Sequence, residues 1–293
     1  MNAFTIKDLE NLSGIKAHTI RIWEQRYSFL KPNRTDTNIR FYNNDELKTL
    51  LNVSLLNKYG FKISHIDKMT EQEMSQKIVN INDQYAQQEY IINTMIQGMI
   101  NMDLDLFDSL LNDYIKMRGV EKTIHHLIFP FMERIGVLWV TGHINPAQEH
   151  LVSNIIRQKL IVGTDMVSPM IVSNKVGVLF LPEGEFHEIG LLYVQYLLKS
   201  KGIKVYYLGS NVPLEDVAYV INHRKPDFVY SHLTSVSSAF NFEKFLTQAI
   251  KKIDHVPLII SGRLAGSYEK KIPPQIIFKK SIQEVSEFIS SLG

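Results

Sequence analysis

Five short apolar runs, at residues 176–181, 203–208, 228–231, 258–260 and 275–278, alternate with helix-patterned segments through the last part of this 293-residue chain. Each run is too short for a helix and rich in Val, Ile, Phe and Tyr, as strands buried on both faces are. The intervening segments, at about 190–201, 213–223, 242–252 and 282–290, carry apolar residues at helical spacing, and Pro213 suits a first helical turn. Strand and helix in strict alternation predict a doubly wound α/β domain, Rossmann-like, with a parallel sheet and right-handed crossovers. In such a fold ligands sit at the carboxyl ends of the strands, which directs attention to the loop after each run.

The first of these loops reads Glu185-Phe186-His187-Glu188-Ile189-Gly190. Forty residues separate Gly190 from Ser231-His232-Leu233, and 27 separate Leu233 from Ser261-Gly262, both at the ends of later runs. A lone Glu-x-His-x-x-Gly also suits an exposed loop histidine in an ordinary flavodoxin-like domain. The three pieces together resemble the cobalamin-binding motif of methionine synthase and its relatives: Asp or Glu, His two residues on, Gly, then Ser-x-Leu, then Gly-Gly. The resemblance implies that His187 is the lower axial ligand of cobalt, with Glu185 accepting its second ring N–H and raising its basicity. Gly190 and Gly262 would let backbone approach a long nucleotide tail, Ser231 would donate a hydrogen bond to it, and Leu233 completes the motif. Ser261 stands where the family has the first glycine of its pair, which would crowd the tail. Glu183, Glu185 and Glu188 invite an acid–base reading, yet three carboxylates in one loop are more often solvated or supporting groups.

Charge is unevenly spread: residues 1–70 carry a net +4 and the remainder −2. A basic head on a near-neutral body predicts a modest nucleic-acid footprint. That head reads as a helix-turn-helix. Thr5 caps a first helix with Asp8 three residues on, Ile6, Leu9 and Leu12 form its apolar stripe, and Ser13-Gly14-Ile15 makes the turn. A second helix, at about 16–25, turns Ile20 inward and Lys16, His18, Thr19 and Arg21 outward, as a recognition helix would. Two short segments about a polar turn, at 31–42, predict a wing whose Arg34, Arg40 and Tyr42 reach phosphates. Arg21-Ile22-Trp23-Glu24-Gln25-Arg26-Tyr27, Pro32 with Arg34, and Arg40-Phe41-Tyr42 resemble the MerR winged-helix family, which adds Arg26 to the DNA-facing set. Asn43 then caps a helix to about Tyr59, Gly60 stops it, and a short fourth helix follows from Phe61-Lys62-Ile63. Two departures are Lys16, where a small capping residue is usual, and Asn38, where the wing turn often has Gly. Asn tolerates positive φ, so the turn survives.

Cysteine is absent, which excludes disulfides, zinc thiolates and a nucleophilic thiol, and weakens a metal-sensing reading of the head. No apolar run approaches the roughly 20 residues that span a bilayer, and no signal-peptide pattern opens the chain. A cytoplasmic, nucleoid-associated protein with no membrane partner is therefore expected.

Between head and α/β domain, residues 70–88 have few apolar anchors and read as a linker or poorly packed helix. Four amphipathic stretches follow, around Ile91 to Met99, Leu104 to Tyr114, Val120 to Trp139 and Ala147 to Ile161, with Pro130 expected to kink the third. They predict a four-helix bundle and domain limits of 1–75, 76–168 and 169–293. His125 and His126, being adjacent, face different sides of their helix and cannot chelate one ion together. Trp139, however, is followed after nine residues by Glu149-His150 across the turn Gly142-His143-Ile144-Asn145-Pro146. A flat tryptophan can cover a nucleoside while the pair bonds ribose or adenine; a buried Trp with a surface Glu-His pair is the plainer alternative.

Taken with the head and the cobalt-ligand loop, this resembles the upper-face cap of the CarH and LitR light-dependent regulators, MerR-type repressors that use adenosylcobalamin. The resemblance covers nearly the whole chain. It implies a non-enzymatic repressor that binds operator DNA in the dark as a homo-oligomer, dimer or tetramer, and releases it when light cleaves the cobalt–carbon bond. Such sensors carry a histidine directly after the bundle Trp, and this chain has Val140, so His143, His150 or water would fill the vacated face. A regulator that senses cobalamin without light shares every binding residue. A corrinoid-enzyme subunit is disfavoured, because no segment remains for a substrate barrel of roughly 250 residues.

Overall fold

The computed structural model describes residues 3–140, 144–234, 240–253 and 255–292, with residues 137 and 140 described by backbone alone. The chain divides into two compact units, Met1–Ile155 and Ile156–Gly293.

The first unit opens with α1 (Ile6–Ser13) and α2 (Ala17–Arg26), then a two-stranded antiparallel wing of β1 (Asn33–Arg34) and β2 (Arg40–Phe41). Thr5 and Asp8 form the expected capping box, and Gly14 ends α1 in the left-handed conformation at φ 72°. Leu9 and Ile20 are fully buried, fixing the crossing of the two helices. The wing turns through Asn38 at φ 64°, which an asparagine side chain accommodates. Next come α3 (Asn44–Lys58), capped by Asn43 with Glu46, and α4 (Ile63–Ile66).

In the segment after α4 the helical alternative holds and the poor packing does not. Residues 71–79 form a helix, α5 (Glu71–Val79), with a complete Thr70–Glu73 capping box. Met74 and Ile78, one turn apart, are buried, so two well-spaced apolar residues anchor what composition marked as linker or poorly packed helix. Asp83 caps the following α6 (Gln84–Asn101) through the Ala86 N–H at 2.8 Å.

The bundle continues with α7 (Leu104–Thr123), a π turn at Ile124–Ile128, α8 (Phe129–Val140) and α9 (Pro146–Asp165). Two interruptions break the helical path, one between the second and third expected stretches and one within the third, beside Pro130. Gly119 leaves helical geometry at φ 80° and ψ 166°, and the π turn stands immediately before the proline. The Phe129 N–H bonds to Ile124 O, five residues back. Widening the helix there makes room for a ring that has no N–H and collides with the preceding turn. Trp139 lies near the end of α8.

In the second unit the end of α9 is followed by β3 (Val176–Pro182), α10 (Ile189–Ser200), β4 (Lys204–Val212), α11 (Leu214–Arg224), β5 (Phe228–His232), α12 (Phe242–Lys252), β6 (Leu258–Ser261), the short α13 (Arg263–Gly266), β7 (Ile276–Lys279) and α14 (Ile282–Ser290). Every strand pair is parallel, in the order β4-β3-β5-β6-β7. The strand order reverses between β3 and β5, the switch point where doubly wound folds hold ligands. Leu179, Phe180, Val229, Tyr230, Ile259 and Ile260 are fully buried at the sheet's centre. Strand β4 runs past the expected limit to Val212 because the β3–β4 register slips twice, after Leu179 and after Phe180.

Among the described residues no helix is long and apolar enough to cross a membrane. If Thr70 anchors α5 as the capping box implies, Thr70→Ala costs about 1 kcal/mol and Thr70→Ser almost nothing. The urea midpoint of the full chain's helical signal checks both.

Candidate functional site at the sheet switch point

Glu185 stands in the loop after β3, fully buried yet carrying a carboxylate. Burial of such a group is tolerated only when its oxygens are satisfied. Its Oε1 accepts the N–H groups of Phe186 and His187, both at 2.9 Å, and lies 2.6 Å from His187 Nδ1. Its Oε2 accepts the Thr234 N–H at 3.0 Å, tying the loop after β3 to the loop after β5. The Asn211 N–H bonds to the Glu185 carbonyl at 3.2 Å, so the end of β4 joins the same knot. A carboxylate on Nδ1 fixes that nitrogen as the N–H and leaves Nε2 as the lone-pair donor. The His187 side chain is 54% exposed while Glu185 is wholly covered. An oriented, accessible imidazole backed by a buried carboxylate is a donor arrangement that borderline transition metals take.

The other residues assigned by the sequence cluster around the same strand ends, in roles that partly differ. Ser231 is fully buried, and its Oγ has no hydrogen-bond partner among the described residues. A buried hydroxyl without a partner costs about 1–3 kcal/mol and marks a place where a ligand can complete it. Leu233 is also fully buried, packed in the hydrophobic core with Phe180, Phe245 and Ile260. Its part in the site is structural: its N–H bonds to Ser261 O at 2.9 Å. Gly262, at φ 92°, lies against that segment so closely that a Cβ would come within 2.4 Å of Leu233 O. The missing side chain at Gly262 is thus required by the protein's own packing.

Gly190 is the clearer reassignment. A Cβ there would fall 2.3 Å from the ring of His232. The middle residue of Ser231-His232-Leu233, which the sequence reading passed over, therefore takes up the space the glycine leaves. On the other side of the ring, His232 Nδ1 lies 2.8 Å from Ser261 Oγ, which accepts the Tyr230 hydroxyl at 2.6 Å. Ser261 is engaged within the protein, and its own proton can be donated to Nδ1. Burial drives the His232 pKa down to about 4, against the opposing pull of the Glu185 charge.

A second cluster was also missed. Glu188, one residue after His187, bonds Arg157 in the second half of α9 and accepts the Tyr207 hydroxyl at 3.1 Å. Burial first, then the Glu188 charge, raise the Tyr207 pKa, so the phenol stays protonated. No spacing rule connects positions 157, 188 and 207; only the folded sheet does. Together with Glu185, this gives two of the loop's three carboxylates supporting roles.

Trp139, Glu149 and His150 belong to the first unit. Trp139 is 46% exposed. The plainer alternative of a buried core tryptophan is therefore wrong. Glu149 is half-buried; it accepts the Ser153 hydroxyl and lies 3.0 Å from Nδ1 of the exposed His150. The side chain of Val140, which stands where such sensors carry a histidine, and His143, raised as an occupant of the upper cobalt face, lie outside the described residues. His126 Nδ1 meets the Tyr114 hydroxyl at 3.2 Å and His125 packs edge-on against Phe129, so the two rings do point apart.

In the head, Lys16, His18, Arg21, Arg26 and Arg34 are exposed, and Thr19 and Arg40 are partly so. Lys16 supplies no side-chain cap to α2. Glu10 does so instead, accepting the Ala17 N–H at 3.3 Å and pairing with Lys16 Nζ at 3.2 Å. Tyr42 corrects an expectation: it is fully buried and donates its hydroxyl to Glu24 of the recognition helix. Burial, reinforced by that carboxylate, raises its pKa. Arg40 Nε binds the same carboxylate at 3.1 Å. Glu24 thus fastens the wing to α2, and Tyr42 reaches no phosphate.

Models of known families match three stretches of the chain: the MerR HTH family regulatory proteins at residues 4–73, and B12-binding domains at 91–162 and 176–275. With the fold above, the chain carries a MerR-type HTH domain, a helical B12-binding domain and a Rossmann-like B12-binding domain. It is 28% identical over 273 residues to the HTH-type transcriptional repressor CarH of Myxococcus xanthus, covering 91% of each chain. It is 26% identical over 269 residues to CarA of the same organism, covering 91% of this chain and 89% of that one. In fold it is similar to the monomethylamine corrinoid protein of Methanosarcina barkeri, with a TM-score of 0.56 at 16% identity, over 69% of this chain and 98% of that one.

The His232 environment has a consequence for acid stability. Because its pKa is depressed in the folded chain, the unfolded chain binds the proton first as pH falls below about 6.5. Stability from this group is therefore complete above that pH and lost on the way down to about 4. Thermal melts of wild type and His232→Asn across this window should show the steeper acid loss in wild type; parallel curves contradict it.

Proposed function

We propose that the chain is a transcriptional repressor that binds adenosylcobalamin and answers to light. The observation that carries this is the Glu185–His187 couple at the switch point of a chain headed by a DNA-binding winged helix. His187 Nε2 would hold the cobalt from below, with Glu185 fixing the ring. The unpartnered Ser231 hydroxyl would bond the nucleotide tail. Trp139 would cover the adenosyl group, with Glu149 and His150 on its polar edge. When bound, the cofactor supplies a weak cobalt–carbon bond that visible light cleaves.

The protein's part is to make the bound state differ from the cleaved one. Trp139 would touch the upper group only while it is bound, and that contact would be the differential interaction any population shift needs. The exposed Lys16, His18, Arg21, Arg26 and Arg34, with Arg40, would hold operator DNA, Thr19 meeting a base edge. Dimer or tetramer formation would let several heads engage one operator, in a cytoplasmic protein without catalytic function. Similarity to CarH and CarA along nearly the full chain supports the repressor reading.

The test is operator retardation by the adenosylcobalamin-loaded protein in darkness and after green light. Retardation lost on illumination is expected, and His187→Ala should retain less cofactor through dialysis than wild type. Equal retardation in both conditions would leave a cobalamin sensor without light. No retained corrinoid spectrum would refute the cofactor itself.

A further inference from the structure

We propose that His232 is a gate that closes the nucleotide-tail channel until a corrinoid displaces it, so that the chain discriminates between corrinoids with and without a nucleotide tail. This rests on the corrinoid reading of the site. The evidence is a substitution of occupants. Two positions that the motif resemblance places beside the tail, Gly190 and Ser261, are bridged here by one imidazole. Its Nε2–Cδ2 edge lies where a Cβ on Gly190 would be, 2.3 Å from it. Its Nδ1 is 2.8 Å from Ser261 Oγ.

The ring is held in place. Tyr230, fully buried two residues earlier on the same strand face, donates to Ser261 at 2.6 Å and so orients the serine toward the histidine. Strand register sets His232 directly beside Ser261. Nothing wider than a glycine can stand at Gly190 while the ring is there, and a tail passing between Gly190 and Ser261 needs the ring elsewhere. Rotation about the side-chain bonds of His232 opens that passage at the cost of the Ser261 hydrogen bond. The competent conformer is then a minor one, and a ligand that needs it binds with an apparent affinity reduced by its population.

A corrinoid lacking the nucleotide needs only His187 and escapes this penalty. His232 is thus a specificity residue that contacts the tail path and leaves the axial ligand untouched.

The experiment measures association of two probes with the full chain by stopped-flow absorbance: hydroxocobalamin, which carries the tail, and cobinamide, which does not. In wild type, cobinamide should associate faster. His232→Ala should speed hydroxocobalamin by about tenfold, as expected if the open rotamer is a minor state, and leave cobinamide unchanged. His232→Asn, which can keep a bond to Ser261 on a smaller side chain, should fall between and guards against an unfolded alanine variant. Equal rates for the two probes in wild type, slower hydroxocobalamin association in a folded variant, or equal acceleration of both would overturn the gate. If wild type gives no spectral change with either probe, the corrinoid site itself is absent and the gate falls with it.

Discussion

A single buried carboxylate organises the functional end of the second unit. Glu185 accepts three N–H groups from two loops and faces the Nδ1 of His187. Removing it would leave four donors at the strand ends without the carboxylate that now gathers them. The same bonds set the direction of the His187 ring, so loop stability and ligand geometry are one feature. Both depend on the reversal of strand order between β3 and β5, which brings the two loops side by side.

Glu24 plays the corresponding part in the head. By accepting from Tyr42 and Arg40 it joins the wing to α2, so the two elements hold a fixed relation. A tyrosine near an arginine-rich turn looks like a phosphate contact until its burial is known. Its hydroxyl instead supports the groups that remain exposed.

Local signals were legible along the chain. The capping boxes at Thr5 and Asn43, the positive-φ turn at Asn38 and the five strand runs each follow from neighbouring residues and appear in the structure. Less legible was whatever depends on tertiary packing. Met74 and Ile78 anchor α5 because α3 lies beside it, and composition alone left that stretch between a linker and a poorly packed helix. The π turn before Pro130 is a compromise between a proline and its helix, with no residue signature of its own. In the site, the Glu185–His187 pair could be read because it is local. His232 could not, since its meeting with Gly190 and Ser261 joins three distant positions, and the variable middle of a Ser-x-Leu motif gives no warning. The Arg157–Glu188–Tyr207 cluster was hidden for the same reason.

These features support one proposal: that His187, oriented by Glu185, would be the nitrogen donor to cobalt. It is tested most directly by the electron paramagnetic resonance spectrum of cob(II)alamin bound to protein labelled with ¹⁵N-histidine. Superhyperfine splitting that changes from a triplet in unlabelled protein to a doublet in labelled protein, and disappears in His187→Ala, is the expected result. A triplet that persists after labelling would mean that the cofactor's own base remains on cobalt, and would contradict the assignment.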